Sequence, residues 1–146
     1  MIYNVQLKKD MKRITKKDLV KAVEDLINQY ELNEHSQSTY ACPLCMLYNK
    51  HKNFKTTDCG KCLNTAFSSD SVDDGLKPYG CIERGIKYPN LSFCLDTRRE
   101  QNKINRKIVD YYERILVLIN ETTIKDIKEF DYEFRAKIVS IADLYI

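Results

Sequence analysis

Glycine is scarce in this chain, with four among 146 residues. None falls in a run that would cradle phosphate, so nucleotide chemistry built on a glycine-rich loop is not expected. Histidine is scarcer still. His35 and His51 stand alone, and neither lies in an HExxH or HxE frame that would join a metal-bound water to a general base. The chain therefore reads as a non-enzyme. No apolar run approaches the roughly 20 residues that a bilayer span requires, so no membrane association is expected. The opening stretch, MIYNVQLKKDMKRITKK, is densely charged and lacks the apolar centre of a secretory signal. A cytoplasmic location is therefore expected.

What the chain does have is cysteine, six in all and every one between residues 42 and 94. In an oxidising space six would permit 15 disulfide pairings, but a reducing cytoplasm disfavours them. The spacing favours metal. ACPLCMLYNKHKNFKTTDCGKCL carries two CxxC pairs, Cys42 with Cys45 and Cys59 with Cys62, and each pair lets one tight turn aim two sulfurs at one point. Four thiolates so placed make the tetrahedron that one structural zinc ion takes. A run of the CxxCxxC type, which would indicate an iron–sulfur cluster, is missing. Pro43 fixes a backbone angle in the first turn and Gly60 relaxes the second. Cys81 and Cys94 have no neighbour at this spacing and read as buried thiols or as alternate ligands, and His51 between the pairs reads as a loop residue or an alternate ligand.

Size and composition indicate one soluble domain: 43% hydrophobic and 31% charged residues in 17.2 kDa. Tyr3, Val5 and Leu7 alternate with polar residues and permit a short strand. Thr15 followed by Asp18 has the N-cap pattern, and Leu19, Val20, Val23, Leu26, Ile27 and Tyr30 recur on one face. These predict a helix over about 16–31. Residues 33–94 are polar and cysteine-rich with fading helical periodicity, which predicts an irregular, metal-ordered insert. Thr97 and Glu100 open a second helix, with Ile104, Ile108, Tyr111, Ile115 and Leu118 as its stripe to about Asn120. Thr123 and Asp126 open a third, with Ile127, Phe130, Phe134, Ile138, Ile141 and Tyr145.

The expected fold is thus mainly α. A three-helix core is built from the N-terminal segment and helix (1–32) and a long antiparallel C-terminal hairpin (95–146), with the zinc-knuckle module (33–94) inserted between them. The hairpin stripes outlast one short docking helix, and the excess suits a homodimer seam or a partner surface.

In order along the chain, CPLCMLY (Cys42 to Tyr48), CGKC (Cys59 to Cys62) and Gly80–Cys81 resemble the CxLCxxY, CxGC and later single cysteine of small cysteine-rich proteins of phages and prophages. The resemblance covers about forty residues. It departs where Lys61 and Leu63 replace a Gly-Cys-Pro run and where Cys94 is added. What it implies is a mobile-element origin and a metal knuckle, with no activity attached.

Two functions follow as expectations. One is a zinc-stabilised protein-binding module, phage-encoded and directed at a host defence protein, with ten tyrosines to furnish anchors. The other is a nucleic-acid-binding zinc-knuckle protein using the basic run Lys8, Lys9, Lys12, Arg13, Lys16 and Lys17 against phosphate.

Overall fold

The computed structural model describes residues 14–34, 42–52, 62–64, 80–92, 97–123 and 132–146, without the side chains of 48–52, 80–83 and 132. Five α-helices appear among them: α1 Lys16–Glu31, α2 Pro43–Lys52, α3 Gly80–Lys87, α4 Arg98–Glu121 and α5 Tyr132–Ala142. Single 3-10 turns at Pro89–Leu91 and Asp143–Tyr145 follow α3 and α5. The described residues contain no strand, and the strand reading of residues 3–7 lies outside them.

α1 begins where its sequence says. The Thr15 hydroxyl accepts from Asp18 N–H at 3.2 Å while the Asp18 carboxylate accepts from Thr15 N–H, a reciprocal capping box. Leu19, Ala22, Val23, Leu26, Ile27 and Tyr30 are its buried face. The helix stops through Asn33, whose left-handed φ of 55° is one that Asn tolerates better than most residues. There Asn33 N–H bonds Tyr30 C=O and Glu34 N–H bonds Gln29 C=O, satisfying carbonyls the helix end leaves over.

α4 has half of that arrangement, Thr97 accepting from Glu100 N–H at 3.1 Å. Its buried residues are Gln101, Asn105, Ile108, Tyr111, Tyr112, Ile115 and Ile119. Ile104 and Leu118, expected on the stripe, are only partly covered. The inward face is rotated toward Asn105 and Tyr112 because α1 packs there, antiparallel to α4. At one end of the seam Lys16 Nζ donates to Thr122 C=O at 2.6 Å and Asn120 C=O at 3.2 Å. At the other, Asn105 Nδ2 donates to Asn33 Oδ1 at 2.9 Å, with Gln101 donating in turn to Asn105. Burying each large apolar side chain in such a seam stabilises by roughly 1.5–3 kcal/mol.

α5 buries Phe134, Ile138 and Ala142 at four-residue steps. Beyond it the Tyr145 ring meets Tyr111 edge-on at 6.0 Å and its hydroxyl donates to Asp110. Tyr88 O–H donates to Asp143 at 2.6 Å. The helix start expected at Thr123 and Asp126, with Ile127 and Phe130, lies outside the described residues.

One correction concerns the insert expected to be irregular, which contains α2 and α3. Among its described apolar residues, Leu44, Leu63 and Leu91 are each 0% exposed and join the same core as α1 and α4, while Met46 and Ile86 face outward. Pro43 suits a first helical position, where its missing N–H costs nothing. Gly85 lets α3 lie close to the next turn, since a Cβ there would stand 2.8 Å from Ser92 Oγ.

Candidate metal centre and adjoining groove

Cys42 sits just before α2 and Cys45 one turn into it, with Met46 N–H bonded to Cys42 C=O at 3.0 Å. Cys42 is buried and Cys45 half-buried. The Cys42 thiol is drawn down to about 6, chiefly by a hydrogen bond from the Cys45 side chain. Burial opposes the shift, while the N–H groups of Cys45 and Leu44 and the charge of Arg84 assist it. Amide donors at a helix start and a nearby cation are what favour thiolate over thiol. The pair thus fits two ligands of a thiolate-bound metal, held one turn apart and biased to the ligating form.

Cys62 is buried on the short turn Cys62–Asn64, together with Leu63 and Asn64. Cys59 and Cys94 lie outside the described residues, while Cys81 falls on α3 and His51 on α2, where only the backbone is described. Among the described residues no three His, Cys, Asp or Glu side chains form a group that would hold a metal ion. Cys42, Cys45 and Cys62 alone therefore do not make one.

Beside these thiols lies a polar cluster that nothing in the sequence announced. Arg84 on α3 is 2% exposed. Its Nη1 donates to Asn64 Oδ1 at 3.0 Å and to the Tyr112 hydroxyl, which also donates to Asn64 Oδ1 at 3.1 Å. The guanidinium lies 5.7 Å from the Tyr112 ring centroid. Tyr112 stacks on Tyr30 at 6.4 Å and meets Tyr111 edge-on at 4.9 Å. Burial pushes the Tyr111 hydroxyl well above the ordinary phenol value. A single arginine in an eight-residue helix reads as a solvated charge. Only the spacing of Asn64, two residues past Cys62, tied any of this to the cysteine motif.

On the outer side of α1 and α2 runs a groove of about 580 Å³. Asp18, Asp25 and Glu34 give its wall negative charge, while Leu32 and Met46 contribute apolar surface. Leu32 is 60% exposed and Met46 49%. Lys21, also on the wall, is 3.6 Å from Asp25.

Of the basic run, Lys8, Lys9, Lys12 and Arg13 lie outside the described residues. Lys16 is committed to the C-terminal carbonyls of α4, and Lys17 is exposed on the first turn of α1. No helix among the described residues is long and apolar enough to cross a membrane.

Compared with protein-family models, characterised proteins and solved structures, the chain finds no match.

Proposed function

We propose that the chain is a non-enzymatic protein-binding module fastened by one structural zinc ion, with the α1–α2 groove as its docking face. The observation that carries this reading is the groove itself. Exposed Leu32 and Met46 lie beside Asp18, Asp25 and Glu34, on the outer side of the two helices that also contribute Leu44 and Tyr30 to the core. Apolar surface with an acidic border suits a partner segment that presents Lys or Arg around an apolar side chain. The thiols fit a different task. Cys42 and Cys62 are buried in the core, where Cys42, Cys45, Cys59 and Cys62 would order the insert between α1 and the C-terminal hairpin that together make the three-helix core.

The phage-like cysteine pattern supports a cytoplasmic inhibitor that engages a host defence protein. The nucleic-acid reading gains nothing from the groove, whose acidic wall repels phosphate. Lys16 already serves the end of α4.

Position-specific crosslinking tests the proposal. A photo-crosslinking side chain at Met46 should attach to a basic, apolar-centred segment of one partner. The same group at Val117, 57% exposed on α4, should attach to none. Asp25→Lys should abolish the Met46 adduct. Equal labelling from both positions, or none from Met46, would overturn the groove as the docking face.

A further inference from the structure

Residues 95–146 carry ten cations and ten acids, a balance that hides how the charges are sorted. Five of the cations, Arg98, Arg99, Lys103, Arg106 and Lys107, fall at the start of α4 beside one acid, Glu100. All five are exposed. At 100° per residue Arg99, Lys103 and Arg106 lie within about 60° of one another, and Arg99 stands directly opposite the buried Ile108. Arg98 and Lys107 flank them on either side. The acids of the groove belong to α1 and the turn after it, away from this face.

Such an arrangement works against the helix that carries it. Cations in a first turn meet the positive end of the helix dipole, and Arg99 with Lys103, like Lys103 with Lys107, places like charges at i,i+4. Lys21, Arg114 and Lys137 each have an acid one turn away, at 3.6, 3.2 and 3.9 Å. Among the described residues none of the five forms an ion pair. Asp110, one turn on from Arg106, is engaged by Arg114 and by the Tyr145 hydroxyl. Folding gives no reason for this face, whereas a ligand of closely repeated negative charge does.

Duplex DNA carries about one negative charge per 1.7 Å of its axis, and the five cations extend over roughly 13 Å of α4 at 1.5 Å per residue. Its major groove, about 12 Å wide, admits an α-helix; that of duplex RNA is too narrow for side chains to read. Single strands are held on aromatic platforms. The tyrosines of α4, Tyr111 and Tyr112, are instead buried.

We infer that Arg98, Arg99, Lys103, Arg106 and Lys107 form a docking face for the phosphate backbone of duplex DNA. This face depends on neither the zinc ion nor the groove. Its contacts are with phosphate, so it supplies affinity without sequence preference.

The experiment follows binding of the intact chain to a short mixed-sequence DNA duplex by fluorescence anisotropy over a range of salt concentrations. Arg99→Gln, Lys103→Gln and Arg106→Gln should each reduce the slope of log affinity against log salt by about 0.9, and the triple variant by about 2.7. Arg106→Lys, which keeps the charge, should keep the slope. Lys137→Gln, on the exposed side of α5, should leave it unchanged. The inference is overturned by a wild-type chain that binds no duplex at about 50 mM salt, by a triple variant with the wild-type slope, or by a loss as large in Lys137→Gln. Equal binding of a single strand or an RNA duplex overturns it too. A dimer in light scattering that the triple variant alone loses, with no DNA bound, would assign the face to a second copy instead.

Discussion

The α1–α4 seam and the cysteine segment are held by opposite means. The seam is long and follows helical periodicity, between helices that bury six side chains of α1 and seven of α4 in the core. The cysteine segment commits few apolar groups, among them Leu44 and Leu63, and places Arg84 inside while Ile86, two residues on, is 75% exposed. Apolar burial can shape a long amphipathic helix because every turn repeats the same preference. An eight-residue helix such as α3 has no such redundancy, and a specific set of hydrogen bonds decides which face turns inward.

This difference is open to attack, most forcefully at the seam. Ile115→Ala, at a position 0% exposed between α1 and α4, should cost about 2–5 kcal/mol. Urea unfolding should show it as one global transition, since both regions share the core. Chelation of the proposed zinc ion should separate them. With zinc removed, amide exchange should quicken in 42–52, 62–64 and 80–92, while the centres of α1 and α4 stay protected. Loss of protection throughout would mean that the seam depends on the metal as well.

A smaller effect is expected at Asn33. Asn33→Ala meets a φ of 55° that alanine adopts at a cost, and it removes the acceptor of the Asn105 amide. Together these should cost about 1–3 kcal/mol in thermal unfolding. Asn33→Gly should recover the backbone part only.

The titration of two tyrosines and that of Cys42 differ in sign. Tyr88 and Tyr145 are each pushed up to about 12, first by burial and then by bonds to Asp143 and Asp110. Their folded values exceed the ordinary phenol value, so their contribution is intact below it and disappears as pH climbs toward 12. Cys42 runs the other way. Its folded value near 6 lies below the free-thiol value of about 8.5. In zinc-free protein its contribution is present above the free value and lost as pH falls through 6. Melting temperatures of the zinc-free chain should therefore rise between pH 6 and about 8.5, flatten, and fall above pH 10 as tyrosinate absorbance appears. Cys42→Ser should remove the first rise and leave the second limb. The least consequence attaches to the groove wall, where Lys21→Ala breaks an exposed i,i+4 pair with Asp25. It should change stability by less than about 0.5 kcal/mol.

Much of the seam was legible in the sequence. The Thr15–Asp18 and Thr97–Glu100 signals mark where α1 and α4 begin, because caps are local chemistry between residues three apart. The rotation of α4 was not legible. Gln101 and Asn105 look like solvent-facing residues, and only their bonds to one another and to Asn33 let them point inward. In the candidate site the Cys42–Cys45 pair was readable from spacing. Arg84, Asn64 and Tyr112 were not, since they come from three separate stretches and meet only in the folded chain. The groove was hidden for the same reason: α1 and the turn after it supply its acids and Leu32, and α2 supplies Met46.

The polar contacts at the two ends of the seam have a further consequence. Lys16 and Asn33 lie seventeen residues apart, and so do their counterparts Asn105 and Thr122. Equal spans let both locks close at once only when α1 and α4 lie in a single alignment over about 25 Å at 1.5 Å per residue. Slipping one helix by a turn would keep much of the greasy contact and lose both locks. One inserted residue would leave one lock shut and swing the other by about 100°. Groups that add little to burial thus act as a gauge of helix length, fixing the register that apolar side chains alone leave loose.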